Sequence, residues 1–178
     1  MVYLFLADGF EEIEALTPVD MLRRAGADIK TVAVKGRSAT GSHNIEVICD
    51  ISVDEIKLDG SLEAVILPGG MPGTLNLEKS DKVIEAVEYC VNNNKTVAAI
   101  CAAPSILGHL GLLRGREAIC FPGFEKDLTG AKISEKAVCS DGNIITAKSM
   151  GYAVEFAEAL ISELVNPEKA KEISESIH

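Results

Sequence analysis

Short apolar runs that alternate with helical patterns constrain this chain more than any other feature. "VYLFLA" (2–7) is apolar throughout, as in a strand buried on both faces. "DIKTVAVKG" (28–36), "AVILPGG" (64–70) and "TVAAIC" (96–101) read as further strands of one parallel sheet. "GFEEIEALTPVDMLRRAG" (9–26) predicts a helix ending at Gly26, with Arg23 and Arg24 favourable at its C-terminal end. Pro18 inside it is expected to weaken or kink it. "NLEKSDKVIEAVEYCVNNNK" (76–95) predicts one amphipathic helix, with Leu77, Val83, Ile84, Val87 and Val91 along one face. "PSILGHLGLL" (104–113) predicts another, opening near Pro104.

Two segments depart from this rhythm. "RSATGSHNIEVICDISVDEI" (37–56) is richer in turn residues and reads as a small β-hairpin off the main sheet. "KAVCSDGNIITAK" (136–148) predicts a hairpin around Asp141-Gly142. "EAICF" (117–121) reads as a short strand. "GYAVEFAEALISELV" (151–165) predicts a strong helix, and "PEKAKEISESI" (167–177) a short polar one opened by Pro167. The expected fold is therefore α/β. It is a doubly wound sandwich with a mostly parallel central sheet, helices on both faces and a small β-hairpin excursion. The length of 178 residues suits one domain, 1–178.

Charge narrows the partners. A net charge of −10 argues against nucleic acid, which is bound through basic patches, and against anionic membrane surfaces. No apolar stretch approaches the length of a spanning helix. "MVYLFLADGFEE" is apolar for six residues and then turns acidic, so it reads as a first strand and not as a signal peptide. Cys49, Cys90, Cys101, Cys120 and Cys139 form an odd, scattered set with no CxxC and no histidine at ligand spacing. Neither a disulfide framework nor a metal site is expected, and a cytoplasmic, reducing location fits best.

Candidate chemistry gathers where strands end, because ligands of such sheets bind at their carboxyl ends. Cys101 sits at the end of "TVAAIC", flanked by Ala102 and Ala103, at a strand-to-helix elbow. The helix N-terminus predicts a lowered thiol pKa there. The pattern alone fits either a reactive thiol or a buried structural one. "LPGGMPG" (67–73) reads as a tight turn, or as a source of N–H groups from Gly69-Gly70 that face the sulfur together with Ala102. In "EEIE" (11–14), Glu11 and Glu12 are expected to face water in the first helical turn. Glu14 shares a stripe with Phe10, Thr17 and Met21, which predicts partial burial and a raised pKa.

Taken together, "ADGFEEIEALTPVDMLRRAG", "VILPGGMPGTLNL" and "AAICAAPSILGHLGLLRG" resemble the DJ-1/ThiJ/PfpI superfamily. "IITAKSMGYAVEFAEALISEL" is similar to that family's last strand and helix, so the resemblance runs from about residue 2 to 165. It implies a flavodoxin-like sandwich and a homodimer. It places the reactive cysteine on Cys101, the partner glutamate on Glu14 and the oxyanion-type amides on Gly70 and Ala102. It implies ready oxidation of Cys101 to a sulfinate held by protonated Glu14. Cys49 falls on a cysteine near the family's dimer interface, and Arg24 and His43 are further interface candidates. No cofactor is implied.

Two departures stand out. Several members carry a histidine in the segment that here reads "ICFPGFEKDL", where Phe121-Pro122 occupies its place. His43, His109 and His178 lie elsewhere and read as surface or packing residues, although His43 is placed to approach a partner's site across a dimer interface. "AKSMGY" stands where close relatives have a Gly-Pro-Gly-like segment. Three functions follow as expectations. The first is a cysteine-dependent stress protein with glyoxalase- or deglycase-type activity on small reactive carbonyls or modified protein side chains. The second is a redox sensor or chaperone without turnover. The third, less supported, is a cysteine hydrolase of the protease or amidase kind.

Overall fold

All five residues of β1 (Val2–Leu6) are buried. Val2, Leu4 and Leu6 enter one apolar cluster, while Tyr3 and Phe5 enter another on the opposite face. A strand wetted on neither face has no reason to alternate. The computed structural model describes residues 1–177; His178 lies outside them.

β1 is followed by α1 (Glu12–Arg24), β2 (Ile29–Ala33), β3 (Ser38–Thr40), β4 (Glu46–Ile48), β5 (Ile51–Ser52) and β6 (Ala64–Leu67). Next come α2 (Gly73–Glu78), α3 (Asp81–Asn92), β7 (Thr96–Ile100), α4 (Pro104–His109), β8 (Glu117–Ala118) and β9 (Lys132–Ile133). β10 (Val138–Asp141), β11 (Ile144–Ala147), α5 (Ala153–Leu164) and α6 (Pro167–Ser176) follow. The main sheet has the order β10-β11-β7-β6-β1-β2-β5. Its pairs are parallel except β10 with β11. Residues of α1, α5 and α6 pack on one face, and residues of α2, α3 and α4 on the other. The expected mostly parallel sandwich is present.

The chain leaves β1 toward β2 on one side and returns to build β6, β7 and β11 on the other. That reversal between β1 and β6 opens a crevice at the carboxyl ends of the strands. Two polypeptide turns close on each other there. The Glu11 amide donates to the Gly69 carbonyl at 2.9 Å, and the Gly73 amide to the Gly9 carbonyl at 3.1 Å.

Several expectations need correction. The helix expected over 76–95 is two helices: Ser80 is extended, and its carbonyl accepts from Val83 and Ile84 at the start of α3. Leu77 and Val83 still reach the same core cluster, so the hydrophobic pattern carries no mark of the break. α1 runs unbroken across Pro18. β3 and β4 form the expected hairpin, but Ile51–Ser52 rejoins the main sheet beside β2. Only Glu117–Ala118 of "EAICF" is strand, and it pairs with β9 outside the main sheet. The helix at Pro104 stops at His109, before Gly111 at φ +72°. Glu12, expected in water, is buried. His43 donates its amide to Glu12 at 2.7 Å, and the His43 ring lies 3.0 Å from the same carboxylate. The hairpin folds over α1 and supplies partners that the local sequence does not show.

Candidate functional site

Cys101 follows the last residue of β7 with φ +65°, a conformation that costs a non-glycine residue about 1–3 kcal/mol. Main-chain bonds on both sides hold it there. Its amide donates to the Ala147 carbonyl at 2.9 Å, and its carbonyl accepts from the Phe121 amide at 2.7 Å. The elbow turns the thiol toward the crevice. Of the five cysteines, all free, Cys101 alone is partly exposed.

The sulfur meets Glu14 from the first turn of α1 and the amides of Ala102 and Gly70. The Glu14 side chain is buried and accepts from the Gly69 amide at 3.0 Å, and the Met150 amide also favours its carboxylate form. Glu14 is aimed by its own helix cap, since its amide donates to the Glu11 carboxylate at 2.7 Å. The glycines matter because space is short. A Cβ on Gly69 would lie 2.6 Å from both the Cys101 Cβ and a Glu14 carboxylate oxygen. Gly70 has φ +90°, and a Cβ there would press on the Glu11 amide at 2.4 Å. Cys101, Glu14, Gly69, Gly70 and Ala102 are therefore brought together.

The expected lowering of the thiol pKa is not found. Burial, and next the Glu14 carboxylate, push the Cys101 thiol up to about 12, and the two amides only partly offset this. The helix that follows has just six residues and offers little against burial. Burial also raises Glu14 to about 7, although the Cys101 thiol and the Gly69 and Met150 amides favour its charged form. Each group resists a charge on the other, so they titrate as a pair. Between about pH 7 and about 12 the pair holds one proton and one negative charge. Its reactive form has the proton on Glu14 and the charge on sulfur, facing two N–H groups.

This coupling has a measurable signature. The pH profile of Cys101 alkylation by iodoacetamide is expected to rise in two steps, near 7 and near 12. Glu14→Gln is expected to collapse it to one step, below the upper one, because the opposing carboxylate is gone. Identical profiles for both proteins would refute the coupling. Stability follows the same group. The folded-state value of about 7 lies above the ordinary 4.5, so the folded state binds this proton more tightly. That contribution is full below pH 4.5 and is lost as pH rises through 7. Relative to Glu14→Gln, the wild type is expected to lose on the order of 3 kcal/mol across this window in urea unfolding.

The other candidates stand apart from the pair. Arg24 is exposed and pairs with Asp20 at 2.7 Å. Cys49 is buried in the cluster with α1, its thiol pushed up to about 11 mainly by burial. His43 is engaged by Glu12, and His109 by Glu78 at 2.6 Å; neither bonds Cys101. Sequence reasoning missed the Met150 and Phe121 amides, because every residue but proline carries an N–H and none announces its use.

A doubly wound α/β protein with a cysteine on a strained elbow beside a buried glutamate defines the class. The DJ-1/PfpI family model matches residues 1–163, and this chain belongs to the DJ-1/PfpI family. Protein DJ-1 homolog B of Arabidopsis thaliana is 34% identical over 174 residues, which are 96% of this chain and 39% of that protein. A protein of Pyrococcus abyssi named as a deglycase is 31% identical over 153 residues, 84% of this chain and 90% of its own. The structure of oxidized Toxoplasma gondii DJ-1 superposes with a TM-score of 0.94 at 32% identity, covering 99% of this chain and 96% of that one. No helix among the described residues is long and apolar enough to cross a membrane.

Proposed function

We propose that the protein is a cysteine-dependent carbonyl- and oxidative-stress protein, with Cys101 as nucleophile and Glu14 as its proton partner. The observation that carries this reading is a partly exposed thiol on a strained elbow packed beside a buried carboxyl, with the Gly70 and Ala102 amides on the sulfur. The Pyrococcus relative's name, deglycase, supports it.

With an α-oxoaldehyde the steps balance without an outside oxidant. The Cys101 thiolate adds to the aldehyde carbon, forming a C–S bond. The carbonyl π pair moves to oxygen, which takes the Glu14 proton. The aldehyde C–H is then lost as a proton to Glu14 and regained at the neighbouring carbonyl carbon, while the hydroxyl proton passes from the first oxygen to the second. One carbon is oxidised to a thioester and the other reduced to an alcohol. Water cleaves the thioester, releasing a 2-hydroxy acid and restoring the thiol. Methylglyoxal would give lactate in this way.

Among the described residues no histidine bonds Cys101, which favours a second reading, a redox sensor without turnover. Two molecules of peroxide each transfer one oxygen to the thiolate and leave as water, giving the sulfinate. The oxidized state of the Toxoplasma gondii relative supports that chemistry. Under either reading the protein is proposed to work as a homodimer in a reducing cytoplasm. The free thiols and the exposed Ile13, Leu16 and Ile45 support this.

Peptide mass after mild peroxide tests the pair, and lactate formation from methylglyoxal tests turnover. Two oxygens are expected on Cys101 selectively, with slower uptake or a different end product in Glu14→Leu. Equal, slow oxidation of all five cysteines would sink both readings. Selective oxidation with no lactate would leave the sensor.

A further inference from the structure

A cavity lies apart from Cys101 and Glu14, neither of which lines it. It opens at the carboxyl ends of β1 and β2, where the Val34 amide donates to the Leu6 carbonyl at 2.9 Å. Parallel sheets hold their ligands at such ends. Its volume is about 270 Å³, just under the roughly 300–1,000 Å³ that drug-sized ligands take, so it suits a small guest. Leu6, Val34 and Ala39 give it apolar walls, and Asp8, Lys35 and Asn76 line it with polar groups.

Those polar groups are held in place but not used up. Asp8 accepts the Thr40 amide through Oδ1 at 2.9 Å. Asn76 donates its side-chain amide to the Asp8 carbonyl at 2.8 Å. Among the described residues, Asp8 Oδ2 and Asn76 Oδ1 are left with no donor. Lys35 and Asp8 enter no ion pair among the described residues. They therefore line one small cavity with their charged atoms more than 4.0 Å apart. Two opposite charges that share a space without meeting favour a guest that carries both signs itself. A guest with a single charge would satisfy one of them and face like charge at the other.

We infer that this cavity binds a small zwitterionic α-amino acid with an apolar side chain. The carboxylate meets Lys35, and the ammonium donates to Asp8 and to Asn76 Oδ1. The side chain lies against Leu6, Val34 and Ala39 and leaves water. No bond is made or broken here, and the site does not depend on the thiol chemistry.

The test is isothermal titration calorimetry of the full chain with L-valine, isovalerate and isobutylamine. The last two are valine without its ammonium and valine without its carboxylate. Valine is expected to bind saturably with a Kd below about 10 mM. Each half is expected to bind at least about ten-fold more weakly, the scale of one lost charge-assisted bond. Lys35→Ala and Asp8→Asn are each expected to weaken valine by about ten-fold. Asparagine keeps an oxygen for the Thr40 amide, and Lys35 is exposed, so melting temperatures are expected to hold. Lys35→Met, which keeps most of the stem, is expected to give the same loss. Valine that does not bind saturably overturns the site. Isovalerate binding as tightly as valine makes it a plain carboxylate site and overturns the zwitterion. Valine binding unchanged in all three variants places the ligand elsewhere and overturns this cavity.

Discussion

Cys101→Ser is expected to reduce lactate formation from methylglyoxal by at least about a thousand-fold, because a serine hydroxyl is far less acidic than a thiol and a carboxylate such as Glu14 is too weak a base to ionise it. The loss is expected without unfolding. The elbow is held by main-chain bonds to Ala147 and Phe121, which serine retains. Melting temperature is therefore expected to change little. Peroxide should also no longer add two oxygens at this position, while the four buried cysteines react slowly as before. Lactate formation that survives in a well-folded Cys101→Ser would end the thiol mechanism.

Gly69→Ala is expected to be a strongly damaging one-methyl change, because the new methyl lands on the pair itself. The new Cβ would fall 2.6 Å from the Cys101 Cβ, 2.6 Å from the Glu14 carboxylate and 2.9 Å from the Ile100 carbonyl. Two of these neighbours are the pair itself, and the third is backbone of a central strand. Relief requires the β6 turn to move away from β7, which also strains the Gly69 amide's bond to Glu14. The cost is expected to be about 3 kcal/mol, in the range of overpacked cores. That corresponds to a fall in melting temperature of about 6–12 °C for a chain of this size. Urea and thermal unfolding measure it directly. A contrast is available at Gly60, where a Cβ meets nothing within 4 Å. Gly60→Ala is expected to leave stability almost unchanged, and equal losses at both positions would show that the tight approach at Gly69 is not what matters.

Much of the fold is legible in the sequence because burial on both faces leaves a pattern in one dimension. "VYLFLA" and "VAAIC" are apolar at every step because each side of those strands meets a helix layer. Gly26 after Arg23-Arg24, and Pro167 after Asn166, mark a helix end and a helix start by local stereochemistry alone. Glu14 is legible for the same reason: its stripe with Phe10 and Met21 forces it inward. The break at Ser80 is not legible, since α2 and α3 both serve one core cluster and keep the apolar spacing across it.

Tertiary structure alone decided the rest. Glu12 looks like any acid in a first helical turn, yet it is buried by Ser42 and His43 from a hairpin about thirty residues away. The local neighbours of the elbow thiol predict easy ionisation. Its pKa is instead set upward by burial and by a carboxylate 87 positions earlier in the chain. The use of the Met150 and Phe121 amides depends on which backbones meet at the crevice between β1 and β6. By itself the sequence determined which residues must leave water and where the chain must turn, because those are local free energies. Which charges, amides and apolar side chains then face one another depends on long-range closure, and electrostatics follows distance in space.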